Sequence, residues 1–194
     1  MELVRHPSWD DRFDPAYRVV EYDPAWPVLA EAELGRIGGA LGPVAVRLEH
    51  VGSTAVPGMA AKPIVDLQLS VPAIGERDSY VGVLEQLGYL FAAYPESPDY
   101  HLFAKPPERP RAYHLHVCEA GSLHEMRHLA VRDYLRAHPD EAARYGAVKR
   151  RLAARHPQDR LAYIAGKDHY VQELQRRAVA DRADVEKRGP APLT

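Results

Sequence analysis

The chain has 194 residues, 46% hydrophobic and 27% charged, with 25 Lys and Arg against 27 Asp and Glu for a formal charge of -2. That is the composition of one ordinary globular domain, and it offers no electrostatic basis for nonspecific nucleic-acid binding, which needs a basic surface. Cys118 is the sole cysteine, which excludes a disulfide framework, and residues 1–7 lack the apolar core of a signal peptide. No run approaches the roughly 18 apolar residues of a membrane span, so a soluble, cytoplasmic protein with no membrane partner is expected.

Residues 1–18 are polar, contain Pro7 and Pro15, and read as an N-terminal arm. Residues 19–22 have the apolar content of a short strand. Asp23 is placed to cap a helix beginning near Pro24, with Trp26, Leu29, Ala30, Leu34 and Ile37 on one face and Gly38-Gly39 as its stop. An apolar run over 44–51 leads into the small-residue turn Gly52-Ser53-Thr54, and a second run over 64–71 carries a single carboxylate, Asp66. This predicts strand, loop, strand. Tyr80, Val83, Leu84 and Leu87 form one face of a helix that stops at Gly88.

Strands are predicted over 89–94, 100–104 and 112–118. The proline-rich stretch 105–110 reads as a hairpin tip, because proline cannot donate to a strand ladder. From Ser122 the pattern is helical. Ser122 and Glu125 fit a capping box, His138-Pro139 and His156-Pro157 divide three helices, and the last is predicted over 159–179. The fold class expected is α/β of the α+β kind, a mixed β-sheet with a C-terminal three-helix segment. The domain spans 19–180, and the charged residues 181–194 read as a tail.

The chemistry concentrates in 49–69. A glycine beside two hydroxyl residues lets the backbone approach a ligand and aims N–H and O–H donors at an anion, although Gly and Ser are also ordinary turn residues. Lys62 adds a point charge, and Asp66 is suited to a cation that such an anion would share. Gly52, Ser53, Thr54, Lys62 and Asp66 together read as the site of a phosphorylated ligand. Glu49 and His50 point to opposite faces of a strand, so one of them can serve as an acid or base there, while the structural alternative makes Glu49 a cap for the turn. In the tail, Arg132 with Arg136, Tyr145 with Lys149, and Tyr163 with Lys167 lie four residues apart on helical faces. They read either as cations and stacking rings reaching a phosphate or base across a cleft, or as solvated faces and interhelical pairs such as Asp133 with Lys149.

Glu-His-Val-Gly-Ser-Thr-Ala-Val-Pro-Gly-Met-Ala-Ala-Lys-Pro-Ile-Val-Asp-Leu over 49–67 resembles the signature of the GrpB family, also called UPF0157. Val-Glu-Tyr-Asp-Pro-Ala-Trp-Pro at 20–27, His-Leu-His-Val at 114–117 and Arg-Asp-Tyr-Leu-Arg at 132–136 resemble further parts of it, so the likeness spans roughly 19–175. The family is assigned by fold to the nucleotidyltransferase (DNA polymerase β-like) superfamily, and its domain also occurs fused to dephospho-CoA kinase. The resemblance implies a nucleotidyltransferase-like core that binds a nucleotide or phosphorylated small molecule and transfers a nucleotidyl or phosphoryl group. The alternatives are a non-catalytic binding or partner module and a histidine-dependent metalloenzyme.

That superfamily places two acidic residues two apart on the strand after the Gly-Ser turn, to hold divalent Mg or Mn. Here Asp66 fits and Gln68 stands where the second would be. His114 and His116 occupy the strand that would supply a third carboxylate. Two apart, they share a face, and with Asp66 they would suit a transition metal rather than Mg. The structural alternative makes them hydrogen-bonded strand histidines and pairs Asp66 with Lys62 or Arg47.

Overall fold

The computed structural model describes residues 18–92, 99–106 and 111–188. The expected arm up to residue 17, residues 107–110 of the expected hairpin tip, 93–94 of the strand expected over 89–94 and 189–194 of the tail lie outside the described residues. Five strands form one mixed sheet: β1 (Arg47–Val51), β2 (Val65–Val71), β3 (Leu90–Ala92), β4 (Tyr100–Lys105) and β5 (Tyr113–Glu119), in the order β1-β2-β5-β4-β3. Among the described residues only the β2–β5 pair is parallel. Five helices accompany it: α1 (Ala25–Leu41), α2 (Val81–Gln86), α3 (Leu123–Ala137), α4 (Pro139–Arg155) and α5 (Arg160–Arg188).

Strand alternation sorts the sheet into two chemistries. One face carries Leu67, Leu69, Val71, Leu115, Val117 and Phe103, packed with Trp26, Ala30 and Ile37 of α1 and Leu84 of α2 into the main core. The opposite face carries Glu49, Asp66, Gln68, Ser70, His114 and His116, aligned by register (Asp66 opposite His114, Gln68 opposite His116 and Glu49). The three C-terminal helices lie over that polar face, with α5 packed on α3 and α4. Every residue of β2 is buried except Asp66, which is half-buried.

Several element bounds differ from expectation. Helix α1 runs through Gly38-Gly39 and stops at Gly42, whose φ of 53° and N–H bond to the Gly38 carbonyl make the turn that ends it. Residues 19–22 form no strand: Val20 makes one two-bonded bridge with Ala61, at 2.8 and 3.0 Å. The first central strand starts at Arg47 rather than 44, because 42–44 form a single 3-10 turn. Helix α5 continues past the expected stop near 179 to Arg188.

Glu125 ties α3 to the sheet. The Ser122 hydroxyl accepts the Glu125 N–H at 3.3 Å, and the buried Glu125 carboxylate accepts from the Gly121 N–H at 2.7 Å and from the Ser70 hydroxyl of β2 at 2.6 Å. Arg47 of β1 stands 3.5 Å away. Removing the carboxylate orphans two donors at once, so Glu125→Ala should cost roughly 2–4 kcal/mol and Glu125→Gln, which keeps an acceptor, clearly less. Thermal melts followed by circular dichroism read both.

Candidate functional site

At the end of β1, Gly52 takes φ 69° and ψ -167°, a conformation open to glycine alone, and Ser53–Ala55 follow as one 3-10 turn. A Cβ on Gly52 would lie 2.6 Å from Asp66 Oδ2 and 2.8 Å from Asp66 Cβ, so the turn passes directly over the β2 carboxylate. The Thr54 hydroxyl meets His50 Nε2 at 2.9 Å. Burial foremost lowers the His50 pKa to about 4, so this contact joins a neutral imidazole to the turn.

This turn forms one wall of a cavity of about 430 Å³ between the polar sheet face and the C-terminal helices, a size suited to a small ligand. Ser53, Thr54, Lys62, Asp66, His114 and His116 line its sheet side. Tyr145 and Lys149 of α4 and Arg160, Tyr163 and Lys167 of α5 line the other. Four cationic side chains thus surround a single carboxylate among the lining residues.

Two tyrosines carry the lysines. Lys62 and Lys167 stand 5.7 and 5.8 Å from the centroid of the buried Tyr163 ring, and Lys149 stands 4.7 Å over Tyr145. Lys149 is 3% exposed, and its Nζ has no hydrogen-bond partner among the described residues. Burial first, with Lys167 adding repulsion, lowers its pKa to about 7. Burial likewise lowers Lys167. The expected surface pair of Lys149 with Asp133 does not form. Asp133 accepts from Arg132 instead, because α4 turns Lys149 inward toward α5.

The structure brings Asp66, His114 and His116 together: His114 Nδ1 and His116 Nε2 lie 3.6 and 3.7 Å from the same Asp66 oxygen. Burial would raise the Asp66 pKa, but the two imidazoles outweigh it and hold the carboxyl well below the usual range. Burial lowers His114, with Asp66 opposing. Of the pairings expected as alternatives for Asp66, Arg47 instead faces Glu125.

Other candidates sit elsewhere. Glu49 does not cap the turn. It accepts from Arg132 at 2.6 Å, and the same guanidinium nitrogen donates to the His50 carbonyl at 3.2 Å. Arg136 donates to the Ala55 carbonyl at 2.9 Å. Glu49, Arg132 and Arg136 are therefore engaged in clamping α3 onto β1 and its turn, and none lines the cavity. Gln68 is completely buried, does not line the cavity, and has no hydrogen-bond partner for either amide atom among the described residues. The paired-carboxylate magnesium site does not fit this arrangement. Mg wants several hard oxygen ligands, and the lining offers one carboxylate flanked by imidazoles.

Sequence reasoning missed His124 and His128, which crowd against His116 from α3, and Arg160 at the start of α5. The signal for the histidines was present in their four-residue spacing on a predicted helix.

Residues 16–177 match the family model described as GrpB protein. A UPF0157 protein of Pseudomonas aeruginosa is 41% identical over 175 residues, covering 89% of this chain and 72% of that one. A UPF0157 protein of Halalkalibacterium halodurans is 40% identical over 164 residues, covering 84% and 82%. A dephospho-CoA kinase of Mycolicibacterium paratuberculosis is 33% identical over 187 residues, covering 83% of this chain but 46% of the kinase. The crystal structure of conserved protein GrpB from Enterococcus faecalis superposes with a TM-score of 0.79 at 33% identity, covering 85% of this chain and 99% of that one.

Proposed function

The chain belongs to the GrpB family, and from that premise we propose that it binds a nucleotide or related phosphorylated small molecule in the cavity between sheet and C-terminal helices. The observation that carries the reading is Lys149, a buried ammonium without a hydrogen-bonding acceptor among the described residues, lining a cavity with three other cations. A buried charge is costly unless paired, and a phosphate would supply the missing acceptor. Ser53 and Lys62 would take the same group from the sheet side. Tyr163 would lie beneath it, with Lys167 closing from α5. The match to one part of a dephospho-CoA kinase is consistent with a nucleotide-related role, but this chain has no Gly-x-x-x-x-Gly-Lys phosphate loop, so the kinase chemistry itself is not carried over.

The test is a thermal-shift series with pyrophosphate, ATP, dephospho-CoA and adenosine. A phosphorylated ligand at about 100 times its Kd should stabilise by about 2.7 kcal/mol, adenosine should give nothing, and Lys167→Met should shrink the effect. No shift with any phosphorylated compound would sink the reading.

A second reading, transfer of a nucleotidyl or phosphoryl group, is favoured by the two histidines held on Asp66 at the cavity floor, where a carboxylate orients an imidazole as a general base. Asp66→Asn should then keep the ligand-induced shift and lose turnover on the order of 100-fold or more, measured as pyrophosphate release from nucleoside triphosphates. Binding without release in the unmodified chain leaves the first reading and removes the second.

A further inference from the structure

The geometry points to a transition-metal site at His116, His124 and His128, which shares only His116 with the Asp66–His114 floor. One ring nitrogen from each residue lies within 4.8 Å of the others. Each ring also has a buried nitrogen without a hydrogen-bond partner among the described residues: Nδ1 of His116, Nε2 of His124 and Nδ1 of His128. Three orphaned imidazole nitrogens in one cluster are unusual, because buried polar atoms nearly always find a partner. A single ion would satisfy all three.

The chain builds the cluster by simple means. His124 and His128 are one turn apart on α3, so their rings overlie, with centroids 4.2 Å apart. His116 rises from β5 beneath them, its ring 4.9 Å from His128 and 6.1 Å from His124. Tyr100 of β4 stacks on His124 at 4.3 Å. Ligands of one tetrahedral zinc stand about 3.3 Å apart given bonds of about 2.0–2.1 Å, so loading requires only small ring rotations.

Three imidazole nitrogens select a borderline ion of the zinc class over Mg or Ca. His116 and His128 also line the cavity, so a fourth coordination position would open toward it, where a phosphate oxygen or water could bind. Asp66, 3.7 Å from the other nitrogen of His116, would orient that ligand from behind. The stretch His124-Glu-Met-Arg-His128 has the spacing of the zinc-hydrolase helix, in which the glutamate activates water. Here Glu125 is committed to Ser70 and the Gly121 amide, so the ion is inferred without a hydrolase assignment.

This goes beyond the anion-binding reading and stands or falls separately from it. The test strips the full chain with a chelator, then titrates Zn(II) by calorimetry and Co(II) by visible absorption. The expected result is about one ion per chain and the ligand-field bands of a low-symmetry tetrahedral Co(II) site. His124→Ala and His128→Ala should abolish both signals. His114→Ala, and His169→Ala on the exposed face of α5, should keep them. Melting curves of the metal-free variants, with His128→Gln as a second substitution of similar size, show that each is folded. Absence of stoichiometric binding overturns the proposal and leaves the rings as an aromatic packing cluster. Loss of the ion in His114→Ala with retention in His128→Ala overturns it by moving the ion to the cavity floor.

Discussion

Lys149→Met should raise the melting temperature while removing the stabilisation expected from the phosphorylated ligands proposed above. In the folded chain the Lys149 pKa falls from 10.5 to about 7, with burial the largest cause. The unfolded chain therefore binds a proton that the folded chain lacks between pH 7 and 10.5, and stability rises with pH through that window. Below it the full penalty for burying the ammonium applies. Methionine fills similar volume without the charge. After allowing for the lost contact with the Tyr145 ring, the gain should be about 2–4 kcal/mol at pH 7, or roughly 5–10 °C for a domain of this size. At pH 10.5 the two proteins should melt much closer together. Ligand binding has the opposite dependence. A phosphate stabilises the protonated amine, so binding near pH 8 takes up a proton, and affinity should fall as pH rises above 7. Calorimetry in buffers of differing ionisation enthalpy reads that proton. A variant that is less stable than the parent at pH 7, or that binds pyrophosphate equally well, would show that Lys149 is not an anion ligand.

Gly52→Ala should be among the most damaging single methyl additions to this chain. The new Cβ would meet Asp66 at Oδ2, Cβ and Cγ, at 2.6, 2.8 and 3.0 Å, so swinging the carboxylate aside does not relieve the clash. The backbone conformation is itself strained for alanine. The combined cost should be roughly 2–4 kcal/mol, and Asp66 would be displaced from His114 and His116. Gly58→Ala is the matched control. Its φ is +73°, yet no atom lies within 4 Å of the added carbon, so only the backbone term of roughly 1 kcal/mol applies. Equal melting temperatures for the two variants would refute the close approach of turn and carboxylate.

Much of the fold was legible because its signals are local. Apolar runs, glycine and proline stops and the Ser122–Glu125 cap marked every strand of the sheet and all five helices. The misplaced bounds arose where a local sign was overruled. Gly38-Gly39 reads as a stop, but the positive φ that ends α1 belongs to Gly42. At the site, the turn and Asp66 were legible because fewer than twenty residues separate them. Glu49 and Arg132 each looked like a ligand group, whereas their mutual pairing joins a strand to a helix 83 residues away and leaves no trace in spacing. Lys149 read equally as a group reaching a ligand or as a solvated face, because a charge at helical spacing fits both. Only the packing of α5 over α4 makes it interior.

The cavity's two sides come from different stretches of chain. The turn, Asp66 and the strand histidines are fixed by ladder hydrogen bonds in the sheet, whereas Tyr145, Lys149, Tyr163 and Lys167 ride on α4 and α5. Substitutions along those helices, at Ile164 or Val171 for instance, would reshape the ceiling without disturbing the floor. The architecture is therefore modular in an evolutionary sense. If the cavity holds the ligand proposed above, changes confined to α4 and α5 would alter which molecule fits while leaving the groups beneath it in place.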